Sequence, residues 1–446
     1  MYSYLTRHLL YPAADRLLGT RMMKYLKEFE QSQWWDRNRL RELQNEKLHA
    51  LIKHAYQNVP YYHRIFNERG ITDRDILTIE DLIKLPILTK EIIRNNFKDI
   101  TATSFKRWKP LLNATSGSTG EPFKYYIDMN VPSAAWAGTF RGWQWAGYEL
   151  GDKRITLAGS SLVKDTPPSL INRLRWVGER NHPFSAVHMD QKRMTEYANK
   201  IAFYNPKILR GYPSALYTFA LYLEQKGIDN IRPKAVFCTA EMLLPQHREI
   251  IERQFGCSVF DHYGAYDGGP QAMECAEHRG YHISVEKVIM EFVDKDGTQV
   301  KAGHTGNIIC TDLYNYTMPF IRYAVGDRGK PCDEVCPCGR ALPLMKSLEG
   351  RTTDVLIFDN GISLSGPALT VVFVTSRIKQ YQVIQENGKK LLIKVVKSAD
   401  YTQADTDHYL GIIKSHVGND IEIEIKFVDE IPATKTGKYK FIISDI

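Results

Sequence analysis

No run of about 18 apolar residues occurs in the 446-residue chain, so no membrane-spanning helix is expected. The opening segment MYSYLTRHLLYPAADRLLG has an apolar side, but Arg7, His8, Asp15 and Arg16 interrupt it. It reads as neither a signal peptide nor a span. Dense Lys/Arg runs and aromatic-basic stripes are also missing, which argues against a nucleic-acid partner. The net charge of +8 is modest; it favours acidic ligands such as nucleotides, or loose contact with an anionic membrane face. There is no long repeat and no low-complexity tract. The familiar phosphate loop G-x-x-x-x-G-K-[ST] is absent, so nucleotide chemistry would need another loop. Cysteine is sparse, at seven residues. In a chain expected to be cytoplasmic these are thiols or metal ligands rather than disulfides.

The length suits about two to four domains. Residues 1–95 read as mainly helical: Leu40, Leu43, Leu48, Leu51, Ile52 and Ala55 fall on roughly one helical face. Pro60 should end or redirect that helix, and Thr89 precedes a short one. From about 110 to 330, strand-like runs (KRITLAGS, PKILRG, PKAVFC, SVFDHYG) alternate with helical patterns. That order implies a parallel, doubly wound sheet, with ligands at the carboxyl ends of its strands. EKVIMEFV and GNIICTDL read as antiparallel strands with Asp296-Gly297 as a turn. After Gly350 the pattern changes to TDVLIF, QYQVIQ, KKLLIKVV, a helix over DTDHYLGIIKSHVG, and IEIEIKFV. This is a small α+β domain.

The most unusual stretch is NATSGSTGEPF, residues 113–123. Glycine lets backbone N–H groups approach an anion, and Ser/Thr hydroxyls add donors. Gly117 and Gly120 bracket Ser118 and Thr119, so the loop can wrap phosphoryl oxygens or be an ordinary polar turn. Downstream lie TAEML (239–243), YGAYDG (263–268), IRYAVGDRG (321–329), EGRTTD (349–354) and IPATKTGKYKF (431–441).

Taken in order, these motifs resemble the adenylate-forming superfamily of acyl-CoA synthetases, aryl-acid ligases and luciferases. The closer likeness is to its phenylacetate–CoA ligase branch and to CapK-type capsular polysaccharide biosynthesis proteins, through SQWW, QNEKLHALIKHAYQNVPYY and GYPSALYTFA. The resemblance implies an α/β fold. A large N-terminal domain, 1–349, would combine the helical region 1–95 with doubly wound mixed sheets over 96–349. A small mobile α+β lid would span 350–446.

By the same resemblance, Thr115, Ser116, Gly117, Ser118, Thr119 and Gly120 cradle ATP phosphates. Tyr263, Gly264 and Tyr266 flank the adenine, Glu241 lies beside it, and Asp267 holds Mg²⁺. Tyr266 stands where Thr is usual and Asp267 where Glu is usual, which shortens the acidic arm by one methylene. Asp327 meets the ribose hydroxyls, Arg351 reaches the nucleotide, and Asp354 is the hinge. Lys438 bridges the acyl carboxylate and the α-phosphate. Ser214, in GYPSAL, is a helix cap or an acyl-pocket residue.

The cysteines add a metal site. Residues 332–338 read C-x3-C-x-C, and Cys275 is followed by His278 and His282. Zinc takes four S/N ligands. Some members of the ligase branch pair Cys-x2-His with Cys-x-Cys-Gly-Arg, which selects Cys275, His278, Cys336 and Cys338, with Cys332 as the alternative fourth ligand. Cys238, Cys257 and Cys310 read as core.

The implied activity is ATP-dependent conversion of a carboxylic acid to acyl-AMP and pyrophosphate, then transfer to coenzyme A. Two alternatives stand beside it. One is a ligase that ignores coenzyme A and acylates a sugar or amino acid. The other is an inactive, zinc-stabilised binding protein of polysaccharide assembly. The expected location is cytoplasmic, with peripheral membrane contact compatible with the charge.

Overall fold

A computed structural model describes residues 2–104, 110–115, 123–159, 162–163, 168–186, 189–351, 355–359, 363–365, 373, 377–418, 420–432 and 440–444. The chain forms two compact units, residues 1–152 with 260–348 and residues 153–259 with 349–446.

The first unit begins with helices α1 (Tyr2–Leu5), α2 (Tyr11–Leu18), α3 (Met22–Ser32), α4 (Arg37–Asn58), α5 (Pro60–Glu68) and α6 (Lys90–Asn95). Their boundaries follow local chemistry. The Asp36 carboxylate accepts the Arg39 N–H to cap α4. Pro60 opens α5, with Val59 alone separating it from α4. Thr89 caps α6 by accepting the Ile92 N–H. On α4 the buried face holds Leu40, Leu48, Leu51, Ile52 and Ala55 as expected, but Gln44 is buried while Leu43 is only half-buried. The Gln44 amide donates to the Val288 carbonyl at 3.1 Å, which satisfies the buried polar group.

A hairpin of β1 (Leu111–Thr115) and β2 (Phe123–Ile127) precedes α7 (Asn130–Gln144). The unit's main sheet is antiparallel. It runs in the order β10 (Val288–Val293), β11 (Gly306–Asp312), β12 (Tyr323–Cys332), β13 (Leu344–Arg351), β9 (Tyr281–Ile283), β8 (Gln271–Glu274) and β7 (Val259–Gly264). The parallel reading therefore does not extend past β7, which pairs antiparallel with β8. Short connections such as that between β8 and β9 leave no room for crossover helices, so those neighbours pair antiparallel. Asp296-Gly297 does turn the chain, with Asp294 accepting the Asp296 and Thr298 N–H groups.

One buried ion pair fastens the helices to this sheet. Arg141 of α7 meets Glu286 at 2.5 Å, and each side chain is 1% exposed. The Ser32 hydroxyl of α3 donates to the same carboxylate oxygen at 2.7 Å. A second Arg141 nitrogen donates to Ser284 Oγ at 2.9 Å. Lys47 of α4 donates to the Glu286 carbonyl and the Tyr314 hydroxyl; burial, opposed by Glu286, lowers this lysine to about 8.

In the second unit, β3 (Arg154–Ala158), β4 (Asn181–Ser185), β5 (Ile208–Gly211) and β6 (Ala235–Thr239) form a parallel sheet in the order β6-β5-β3-β4. Helices α8 (Leu170–Gly178), α9 (Gln191–Tyr204), α10 (Pro213–Gln225) and α11 (Pro245–Phe255) connect or follow these strands. Their apolar faces bury Ile201, Leu216, Phe219, Leu223, Ile251 and Phe255 against Leu157, Leu209 and Val236. This is the doubly wound portion that the alternating pattern announced.

The C-terminal segment has a β14 (Val355–Ile357) and β15 (Ser363–Ser365) hairpin. Its four-stranded sheet has the order β18 (Glu422–Phe427), β17 (Lys390–Lys397), β16 (Ile378–Asn387) and β19 (Ile442–Ser444). Helix α12 (Gln403–Val417) starts at a Thr402/Asp405 capping box and packs Tyr409 and Ile413 into the core. Strand β19 escaped the sequence reading because three residues carry too little alternation.

Removing one partner of a buried pair strands the other charge. Arg141→Met should therefore cost about 3–5 kcal/mol, read as a lower urea midpoint. Arg141→Met/Glu286→Leu should recover much of that loss.

Candidate active site and metal cluster

The flanks of the Ser/Gly stretch pair with each other: Thr115 lies opposite Phe123 in the β1–β2 register. Ser116, Gly117, Ser118, Thr119 and Gly120 themselves lie outside the described residues, as does the Thr115 side chain. Strand β2 alternates: Phe123, Tyr125 and Ile127 point inward while Lys124 points out. The Phe123 ring stacks on Tyr125 at 5.4 Å and lies nearly parallel to Tyr323 at 6.3 Å. Lys90 and Arg94 of α6 stand 5.8 and 6.0 Å from the Phe123 centroid. The loop's exit is thus anchored in an aromatic cluster with two cations beside it, a setting that favours an anion.

That cluster leads to two carboxylates. The Tyr323 hydroxyl donates to Asp267 Oδ2 at 3.3 Å, and Lys90 Nζ stands 3.8 Å from the same oxygen. The Tyr263 hydroxyl donates to Asp327 Oδ2 at 2.8 Å. Burial first, then the adjacent aspartate, raises both phenols well above their usual value, so each stays a donor. Asp327 and Tyr323 share strand β12, while Tyr263 and Asp267 flank the end of β7. Asp267 is only 6% exposed. A nearly buried carboxylate in contact with one phenol and one ammonium suits a hard cation, which takes oxygen ligands. Tyr266, by contrast, is 39% exposed.

Two residues that the sequence reading passed over shape this turn. Gly268 and Gly269 both have left-handed φ, +74° and +69°. A Cβ on Gly268 would fall 2.4 Å from the Tyr323 ring. Lys287, itself buried, donates to the Gly269 carbonyl at 2.5 Å. Lys90 opens α6, directly after its cap Thr89.

In the second unit, Glu241 accepts the Ser214 N–H at 3.2 Å. Ser214 lies inside the first turn of α10, after the N-cap residue Tyr212, so it is the capped group and Glu241 the capping one. Arg351 closes β13, its side chain outside the described residues; Asp354 and Lys438 lie outside them entirely.

The cysteine segments meet. Cys275, His282, Cys336 and Cys338 bring one ligand atom each to within 4.8 Å of one another. Cys275 and Cys336 sulfurs are 3.6 Å apart, and Cys338 Sγ is 3.3 Å from His282 Nε2. A zinc tetrahedron has edges of about 3.8 Å between thiolates and about 3.6 Å from thiolate to imidazole, so the set fits that ion. The His282 Nδ1 lies 3.4 Å from the Leu342 carbonyl, to which it donates when Nε2 is the free lone pair. Burial lowers His282 to about 4, so the ring is neutral and able to ligate.

His282, not the expected His278, stands with the three thiols. His278 sits in a turn with φ +47°, its ring against Phe260 and its Nδ1 3.5 Å from Glu274. His282 is on β9, opposite Met273 of β8 and Leu344 of β13. Strand alternation sends Tyr281 to Asp261 and His282 to the thiols. Gly280 permits this, since a Cβ there would lie 2.6 Å from the Met345 carbonyl. Cys332, the alternative ligand, only packs beside the cluster. Cys238 and Cys310 are core, and Cys257 is half-buried.

The CapK C-terminal domain family matches residues 359–445. Protein CapK of Staphylococcus aureus is 27% identical over 424 residues, covering 92% of this chain and 90% of CapK. A phenylacetate-coenzyme A ligase of Pseudomonas putida is 28% identical over 416 residues, covering 91% of this chain and 86% of its own. Among solved structures, 2-hydroxyisobutyryl-CoA ligase in the postadenylation state with 2-HIB-AMP superposes with a TM-score of 0.73, at 18% identity and 93% coverage of both chains. The chain is a homologue of CapK and of the phenylacetate-coenzyme A ligases, built on the adenylate-forming ligase fold and carrying a CapK C-terminal domain.

Proposed function

We propose that the protein is an AMP-forming carboxylate ligase. It joins a carboxylic acid to ATP and passes the acyl group to coenzyme A. The carrying observation is the convergence of the β1–β2 loop flanks, Lys90, Tyr323–Asp267 and Tyr263–Asp327 in one unit, in the motif order of acyl-CoA synthetases. In the first half-reaction an acyl carboxylate oxygen attacks the α-phosphorus. The bond from that phosphorus to the β-phosphate oxygen breaks, and pyrophosphate leaves. In the second, the acceptor sulfur attacks the acyl carbon, its proton is lost, and AMP leaves.

The work of the chain is positioning and charge neutralisation. Residues 115–120 hold the phosphates, and Lys90 adds positive charge beside them. Asp327, oriented by Tyr263, accepts from the ribose hydroxyls; Tyr263, Gly264 and Tyr266 border the base. Asp267 is the residue that would hold Mg²⁺, which when bound screens the phosphate charge. The two lysines differ in role: Lys90 stands on a fixed helix, whereas Lys438 arrives with the lid 350–446, pivoting at Asp354, with Arg351 following the nucleotide. Cys275, His282, Cys336 and Cys338 hold a structural zinc with no open position. The resemblance to CapK-type capsular polysaccharide biosynthesis proteins favours an acceptor or pathway in capsular or surface polysaccharide synthesis, and the likeness to coenzyme A ligases favours a cytoplasmic site of action.

ATP–pyrophosphate exchange over a panel of carboxylic acids tests the ligase reading. Exchange with at least one acid is expected, and Asp327→Ala should weaken ATP binding through loss of the ribose contact. Calorimetry that detects no ATP binding with Mg²⁺ present would overturn it. Adding coenzyme A, then amines and sugars, to an exchange-competent reaction identifies the acceptor.

The zinc site yields a ligand-by-ligand outcome. Elemental analysis should find about one zinc per chain, as a single tetrahedral site requires. Cys336→Ser and His282→Ala should lose it and melt earlier, because metal-binding energy is partly folding energy. His278→Ala and Cys332→Ser should keep it. Retention by His282→Ala would return the fourth position to His278 or Cys332.

Lys438→Ala separates the half-reactions. Adenylation should slow by about 10²–10³, the usual cost of one preorganised charge donor, with ATP binding little changed. Transfer from supplied acyl-AMP should stay near the normal rate. Equal losses in both halves would remove Lys438 from the adenylation step.

A further inference from the structure

The N-terminal helix is inside out. From Tyr2 to Leu18 the chain is helical throughout, α1 and α2 being joined by a π-helical turn over Thr6–Leu10. Thr6 is the one residue of that stretch that is buried, whereas Tyr4, Leu5, Leu9, Leu10, Leu17 and Leu18 are exposed, Leu17 by 86%. The stretch is held by polar and edge contacts instead. Ser3 donates to Asp152, Arg7 pairs with Glu30 at 2.5 Å, and the Tyr11 ring meets Phe140 edge-on at 5.8 Å. A surface helix normally turns its leucines to the core. Here they face outward, with the exposed His8 and Arg16 among them, and so many exposed apolar side chains on one short stretch are costly in water unless another apolar phase covers them.

Charge says which phase. Residues 2–27 hold Arg7, Arg16, Arg21, Lys24 and Lys27 against one acid, Asp15. Asp15 is turned inward, accepting from Thr20, Met22 and Met23 to cap the start of α3. Glu28 and Glu30, which follow, are occupied by Lys24 and Arg7. Beside the helix lies a cavity of about 600 Å³ whose lining includes Arg7, His8, Lys24 and Lys27. Exposed leucines next to a basic recess are the pattern of a helix lying in a membrane interface. Its apolar face enters the acyl boundary and its bases meet phosphate headgroups.

We propose that residues 2–18, with the basic cavity beside them, dock this protein on an anionic phospholipid surface. The site is separate from the ligase chemistry. It would bring a soluble activating reaction to acceptors held at a membrane.

The test is co-sedimentation of the full-length protein with phosphatidylcholine vesicles, with and without phosphatidylglycerol. Binding is expected only to the anionic vesicles and should weaken as salt is raised. Leu9→Gln/Leu17→Gln should lower the vesicle-bound partition at least about tenfold, through lost apolar burial. Lys24→Glu/Lys27→Glu should abolish the preference for anionic lipid. Both pairs are exposed or rim residues, so melting temperature and pyrophosphate exchange should match the parent and show that folding is intact. Absence of binding, equal binding to both vesicle types, or unchanged binding by the leucine variant would overturn the proposal. So would sedimentation velocity showing a lipid-free dimer that the leucine variant dissociates, since the face would then belong to a second copy of the chain.

Discussion

The Glu286 carboxylate, held by Arg141 and Ser32 in the interior, is the constraint on which the first unit depends. Neither charge reaches water, so each is tolerable only while the other is in place. The residues that converge there come from α3 and α7 and from the turn before β10, with Lys47 of α4 on the Glu286 backbone. A hydrophobic face alone would let the helices slide on the sheet. A fully buried ion pair with directional hydrogen bonds leaves one register for all of them.

The same logic appears at the candidate active site on a smaller scale. Each carboxylate is held by a buried phenol from the other segment, Tyr263 of β7 on Asp327 and Tyr323 of β12 on Asp267. The two segments that carry these groups then run on, through β8 and through β12, into the two thiol turns. Cys275 lies just beyond one, and Cys336 and Cys338 just beyond the other. A metal on the cluster would cross-link the stretches that present the carboxylates. Such a cross-link would bear on the precision of the candidate site from outside it, as a supporting layer does.

Much of the architecture was legible in the chain's own pattern. The parallel β3–β6 sheet, the helix α12 and the β16–β17 hairpin follow from periodicity and turn residues, which are local properties. The motifs that single out the candidate site were legible as well, because a Ser/Gly-rich loop and the YGAYDG and VGD segments are short and local. Other features were not. Nothing local marks Lys90 as a partner of Asp267, or Gly268 as the residue that clears the Tyr323 ring, since those contacts join residues more than 50 positions apart.

The histidines draw the line most clearly. By itself the sequence determined that three thiols and an imidazole were available in two segments, because ligand chemistry belongs to residue type. Which histidine joins them was decided by tertiary structure. The resemblance to the ligase branch's Cys-x2-His pattern points to His278, but the left-handed turn after Cys275 directs that ring toward Glu274 and Phe260. Pairing of β9 with both β8 and β13 carries His282 to the thiols instead. Side-chain direction on a strand has a period of two and is set by its neighbours across the ladder. That information lies in the pairing of distant strands, and no spacing along the chain contains it.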